Sequence, residues 1–139
     1  MNLTVSLKTT LLSLACFIML GCTSKTPNIQ VEQLLKTGQS WDSTPYAAYP
    51  AGQPEITVLK ITIPPHTALN WHSHPMPNVA YVLSGHLLVE TRDGKHKMTL
   101  KPGQVLPELV QTEHRGVSDN QQVELIVFYA GGAGMPLSQ

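Results

Sequence analysis

Beyond residue 50, apolar and polar positions alternate along much of the chain with a period of two. Glu55–Ile63 reads EITVLKITI and stops at Pro64-Pro65. A period of two sends successive side chains to opposite faces, the signature of a half-buried strand. Asn78–Gly85, NVAYVLSG, is rich in β-branched and aromatic residues and stops at Ser84-Gly85. Leu87–Leu100, LLVETRDGKHKMTL, carries Asp93-Gly94, a two-residue hairpin signal. Lys101-Pro102-Gly103 predicts another turn. Val123–Ala130, VELIVFYA, is a nearly unbroken apolar run, which predicts a strand buried on both faces. Two segments are less regular. Ser40–Gln53 mixes aromatics with Pro and Gly, predicting a short strand and then a loop, while Val31–Lys36 fits a helical turn or a first edge strand equally well. No internal repeat stands out. Short strands joined by turns at regular spacing predict an all-β sandwich or barrel, whose packing or closure protects the strand edges.

The beginning of the chain follows another pattern. After Lys8, the stretch Leu11–Leu20 is almost wholly apolar until Gly21. A membrane-spanning helix needs about 20 apolar residues, and this run has half that length. Residues 1–21 therefore read as a secretory signal peptide. Met19-Leu20-Gly21-Cys22 resembles a bacterial lipobox, with Met19 where leucine is usual. The resemblance implies lipidation of Cys22, which becomes the new first residue and anchors the chain to a membrane. Ordinary secretion and an uncleaved anchor are the alternatives. Thr23 in place of aspartate implies, by the same resemblance, outer-membrane sorting of a periplasm-facing lipoprotein. Cys16 leaves with the signal, so no pair remains for a disulfide. The expected organisation is signal 1–21, lipidated cysteine and tether 22–39, β domain 40–131, and a C-terminal tail 132–139 that is flexible or caps an edge.

Composition narrows the function classes. A chain of 139 residues holds one ordinary domain. Nine basic and nine acidic residues give zero formal net charge, so there is no electrostatic footprint for nucleic acid. With 42% apolar and 13% charged residues, the chain lies outside the composition of disorder.

Three of the six histidines stand out by position. His72 and His74, in LNWHSHPMP, share a face if that segment is extended. Two imidazoles on one face can each offer a ring nitrogen to a single divalent ion, although such a pair also occurs in ordinary surface loops. His114, in QTEHRG before the last apolar run, would complete the set of three used by catalytic metal sites with open positions.

These residues resemble the two motifs of the cupin family. In the first motif a glycine precedes His-x-His, and a glutamate and a closing glycine follow. His72, His74 and Gly85 fall on their places, His66 replaces the leading glycine, and Asn78 stands at the glutamate place. In the second motif a glycine precedes the metal-binding histidine by eleven positions, as Gly103 precedes His114. Leu109 and Gln111 stand where that motif has proline and glycine, and Ser118 takes the place of the closing asparagine. The resemblance spans Ile56 to Tyr129. It implies a jelly-roll barrel (a double-stranded β-helix) over residues 40–131, with the three histidines around one divalent transition metal: iron, manganese, nickel or zinc. It also implies a homodimer.

Because Asn78 is neutral, the expected site is three-histidine with a charge near +2, attractive to anionic chelating ligands. Asn78 could bind through its amide oxygen or hold a water. Glu108 is a second candidate for a fourth group, with a loop cap or a pair with Arg115 or a lysine as its alternatives. Trp71 is expected to pack between sheets, and Tyr81 to face away from the metal. His66, His86 and His96 have no expected part in the site. Two function classes remain. One is a small-molecule metalloenzyme with dioxygenase-like or Lewis-acid chemistry, a dioxygenase or an isomerase. The other is a non-catalytic module in the cell envelope that binds a metal or a small ligand.

Overall fold

The computed structural model describes residues 28–139. The signal segment and the candidate lipidation site Cys22 lie outside the described residues. Seven strands and no helix occur among those described: β1 (Pro54–Ile63), β2 (Asn78–Ser84), β3 (Leu87–Thr91), β4 (Lys97–Leu100), β5 (Val105–Pro107), β6 (His114–Ser118) and β7 (Val123–Gly132). They form a four-stranded sheet in the order β1-β7-β2-β5 and a three-stranded sheet in the order β4-β3-β6, every pairing antiparallel. The expected all-β jelly roll is the fold observed.

Residues 67–74 extend the smaller sheet. Isolated bridges pair Ala68 with Val117 and His72 with His114, so this stretch runs antiparallel along β6 as a broken fourth strand. Backbone hydrogen bonds hold it on either side of the break: Ser118 N donates to Thr67 O, Leu69 N to Gly116 O, and His114 N to His72 O, each at 2.9 Å.

The core lies between the sheets. Ala80 and Val82 of β2, Val89 of β3, Leu106 of β5, and Leu125 and Val127 of β7 are all buried. Each fully buried valine or leucine among them contributes about 1.5–3 kcal/mol. Gly85 turns the chain between β2 and β3 with φ of 76°, and a Cβ there would lie 2.3 Å from the Gln122 carbonyl oxygen. Only glycine fits that approach.

Several expectations are corrected by the strands themselves. β7 is buried on one face only: Val123, Leu125, Val127 and Tyr129 point inward, while Phe128 is 41% exposed. The β3–β4 connection is a four-residue loop rather than a two-residue turn, because Thr91 N still donates to His96 O. Asp93 accepts from Thr91 Oγ1 at 2.7 Å and from Lys95 N at 3.1 Å, which rounds the loop out. Val31–Lys36 forms neither helix nor strand. Ser40–Thr44 is a turn knotted by Asp42, whose Oδ1 accepts from Ser40 Oγ and Thr44 N, in place of the expected short strand. Residues 132–139 are not a free tail: Gln139 and Ser73 exchange both backbone hydrogen bonds, at 3.0 and 3.1 Å.

Candidate metal centre

The broken strand and β6 bring the three histidines together. His72 and His114 are direct cross-strand partners, so their side chains leave the sheet on the same face. His74, two residues on, keeps that face. The ring centroids form a nearly equilateral triangle: 4.9 Å between His72 and His74, 4.8 Å between His72 and His114, and 5.1 Å between His74 and His114. One ligating nitrogen from each lies within 4.8 Å of the others, so the three could hold a metal ion.

The outer nitrogens of these rings are all committed to the backbone. His72 Nδ1 lies 2.8 Å from Asn70 O, His74 Nδ1 2.7 Å from Leu137 O, and His114 Nδ1 2.8 Å from Thr112 O. A carbonyl oxygen only accepts, so each Nδ1 carries a proton, and each ring is turned so that its Nε2 faces the centre of the trio. That tautomer and ring orientation suit a metal ligand. His74 Nε2 is buried and has no hydrogen-bond partner among the described residues. A buried nitrogen left without a partner is costly, and a cation is the group that three converging ring nitrogens fit.

Glu108, just after β5, stands beside the trio. Its Oε2 is 2.8 Å from His114 Nε2 and 3.5 Å from His74 Nε2. Burial would raise its carboxyl, but contacts with His114 and His74 outweigh this and hold it at about 2. His114 is shifted upward: burial opposes its charge, and the hydrogen bond and charge of Glu108 prevail. His72 is shifted downward, chiefly by burial. The pairing of Glu108 with Arg115 or a lysine does not occur. Arg115 bonds Glu90 instead, with Nε at 2.8 Å and Nη2 at 2.7 Å.

Asn78 is 1% exposed, and neither atom of its amide group finds a partner among the described residues. It faces inward with Ala80 and Val82 and pairs across the sheet with Tyr129. Tyr129 was not foreseen from the sequence. Its ring lies 5.7 Å from that of His74, and burial with the charge of Glu108 pushes its phenol up to about 12. It could be found only from strand parity in β7, a strand that reads as evenly apolar. The cavity over the histidines is about 50 Å³, walled by Leu69, Leu87, Leu125 and Val127 as well as Tyr129. A groove of about 450 Å³ lies outside the barrel between Leu35–Gly38 and Phe128 and contains none of the histidines.

The remaining candidates fall elsewhere. Trp71 lies outside the core between the sheets, with the Arg115 guanidinium 4.2 Å above its ring. Tyr81 is absent from the cavity wall. His66 is exposed, His86 lies 4.0 Å from Asp119, and His96 packs edge-on to Trp41.

Comparison with known proteins agrees with this fold. The chain resembles a crystal structure of the DMSP lyases RdDddP and RnDddQII at 22% identity and a TM-score of 0.53, covering 60% of this chain and 43% of that one. A cupin-like protein from Thermotoga maritima matches at 20% identity and a TM-score of 0.52, covering 60% and 62%. The DMSP lyase DddQ from Ruegeria pomeroyi matches at 16% identity and a TM-score of 0.53, covering 68% and 45%. The chain thus spans less than two thirds of the length of each of the three. Likeness at these identities shows the fold. No curated protein matches the chain in sequence. The cupin domain model matches residues 59–129, which include all three histidines, Asn78 and Glu108. With two antiparallel sheets enclosing a histidine trio, this chain belongs to the cupin family.

Proposed function

We propose that the chain holds one divalent transition metal through His72, His74 and His114 and acts on a small molecule as a metalloenzyme. The observation that carries this reading is the set of three Nδ1–H groups donated to backbone carbonyls, which leaves the three Nε2 atoms as the ring nitrogens free to converge on one ion. Imidazole donors suit iron, nickel and zinc. When bound, such an ion supplies Lewis acidity or, if redox-active, dioxygen chemistry. The protein's share is to orient the rings, to keep bulk water off with the aliphatic wall, and to offer the protonated Tyr129 phenol as a hydrogen-bond donor at neutral pH.

The second reading is a non-catalytic binding module, and the cavity volume favours it. About 50 Å³ holds a few atoms, whereas pockets for drug-sized ligands span ~300–1,000 Å³. Elemental analysis of the full chain purified without chelator separates the readings when combined with oxygen uptake over catechols, diketones and thiols. Iron with uptake supports the dioxygenase, and zinc without turnover supports the binder. About one equivalent of metal per chain is expected. His72→Ala and His114→Ala should lose it while far-ultraviolet circular dichroism keeps its β signature. Unchanged metal content in both variants would remove these residues as ligands.

We also propose export, lipidation on Cys22, a periplasm-facing position at the outer membrane, and a homodimer. Residues 28–37 carry no helix or strand and are mostly exposed, as a tether requires. Mass spectrometry of the N-terminal peptide should find diacylglyceryl-cysteine, and an unmodified Cys22 would refute the anchor. Ile56 and Val58 on β1, 57% and 56% exposed, adjoin Phe128 on the outer face of the larger sheet and form an apolar surface that a second copy would cover. Light scattering of the delipidated chain should return twice the monomer mass.

A further inference from the structure

The first cupin motif places a carboxylate where this chain has Asn78, and the structure puts one beside it. β2 and β5 run antiparallel with Val79 opposite Pro107 and Ala80 opposite Leu106. The next pair in that register is Asn78 and Glu108, and Glu108 N donates to Asn78 O at 3.0 Å. The carboxylate is displaced sideways by one strand and still faces the same rings. Its backbone is held from the other side by Tyr46, whose hydroxyl donates to Glu108 O at 2.7 Å.

Glu108 is only 9% exposed, and a carboxyl group taken that far out of water needs partners for its oxygens. Among the described residues Glu108 has no lysine or arginine in ion-pair reach, and its contacts are the Nε2 atoms of His74 and His114. Nδ1 of His114 is turned to a backbone carbonyl, so the 2.8 Å contact of Nε2 with Glu108 Oε2 is one that a shared cation bridges, a proton or a metal ion. The same carboxylate oxygen lies 3.5 Å from His74 Nε2, a buried nitrogen with no hydrogen-bond partner among the described residues, so one oxygen converges on two of the three candidate ligand atoms. The spacing fits such a cation. Metal–nitrogen and metal–oxygen bonds of ~2.0–2.2 Å put neighbouring ligand atoms about 3 Å apart at a right angle and about 3.4 Å apart in a tetrahedron. The separations of 2.8 and 3.5 Å bracket that range.

Building on the metal site proposed above, we propose that Glu108 is its fourth protein ligand, taking the part that Asn78 has lost. The site then carries a charge near +1 with a divalent ion instead of +2. One small anion neutralises it, and the few atoms that fit above the histidines make a compact monoanionic ligand the matching class.

The test is the affinity of the full chain for Zn(II) and Co(II), measured by chelator competition, with the visible absorption of the Co(II) form. Glu108→Gln should bind at least ten-fold more weakly and shift the Co(II) bands, while Asn78→Ala should stay within about three-fold of the original. Glu108→Asp should fall between them and keep the band pattern of carboxylate ligation. A measurement on the unaltered chain, independent of how Glu108→Gln folds, stands beside it: the infrared carboxylate stretch should shift on loading with Zn(II). Equal affinity with unchanged Co(II) bands in Glu108→Gln, or no carboxylate shift in the unaltered chain, overturns the inference and leaves the three-histidine site standing. An unaltered chain that binds neither ion overturns both.

Discussion

His66 and Gln111 stand where the family's motifs carry glycine, and each keeps a left-handed backbone, with φ of 55°. For a residue with a Cβ that conformation costs roughly 1–2 kcal/mol. Backbone hydrogen bonds from His66 N to Asp119 O and from Gln111 N to His74 O hold the two turns. Gln111→Gly should therefore be tolerated, whereas Gln111→Val, branched at Cβ, should lose about 1–2 kcal/mol in a urea titration. Gly85 is less forgiving, since its φ of 76° coincides with a carbonyl oxygen 2.3 Å from any added Cβ. Gly85→Ala should cost about 3 kcal/mol, read as a lower thermal midpoint. Ser118, at the place of the motif's closing asparagine, donates its hydroxyl to Pro64 O and accepts from Thr67 N at 2.9 Å. At this scale the residues were legible by type and separation. What the substitutions do was not, because φ and hydrogen-bond partners depend on segments far away in the chain.

Among the elements, the broken strand over residues 67–74 and the C-terminal stretch together set the histidines. The parity of His72 and His74 was readable from spacing alone. The alignment of His72 opposite His114 was not, because cross-strand register depends on two segments forty residues apart. The C-terminal contribution could not be anticipated at all: GGAGMPLSQ has neither helical nor strand periodicity, yet Leu137 O accepts from His74 Nδ1. A chain truncated after Met135 loses that acceptor. Metal affinity should then fall by about 10–100-fold, with the fold retained by circular dichroism. Nitrogen-15 shifts should show the His74 ring sampling both tautomers. Truncation that leaves affinity unchanged would dismiss the tail as a positioning element. Trp71 illustrates the limit of burial habits, since its outward face is covered by the Arg115 side chain instead of the opposite sheet.

Over the whole molecule, acid should be the destabilising direction. Glu90 is held below the usual carboxylate range by hydrogen bonds from Lys97 and Arg115, and Asp93 is held at about 2 by Thr91 Oγ1 and Lys95. Groups with lowered native pKa values stabilise the fold fully above their ordinary values of 4.5 and 3.8. They lose that contribution as pH falls through the lowered ones. The urea midpoint should thus drop progressively below about pH 4.5. Glu90→Gln should lower the midpoint at neutral pH and flatten that decline, whereas an unchanged profile would remove Glu90 from the account.

The sequence by itself determined the all-β architecture, the positions of most strands, and which three imidazoles are candidates for one ion. Those features follow from side-chain periodicity and short spacings, which are local. The tertiary structure alone decided that Glu108 stands beside Asn78, that Tyr129 joins the wall, and that the Nδ1 atoms of His72, His74 and His114 each face a backbone carbonyl. Each of these depends on register between strands and on a tail folding back, contacts between residues that no local pattern relates.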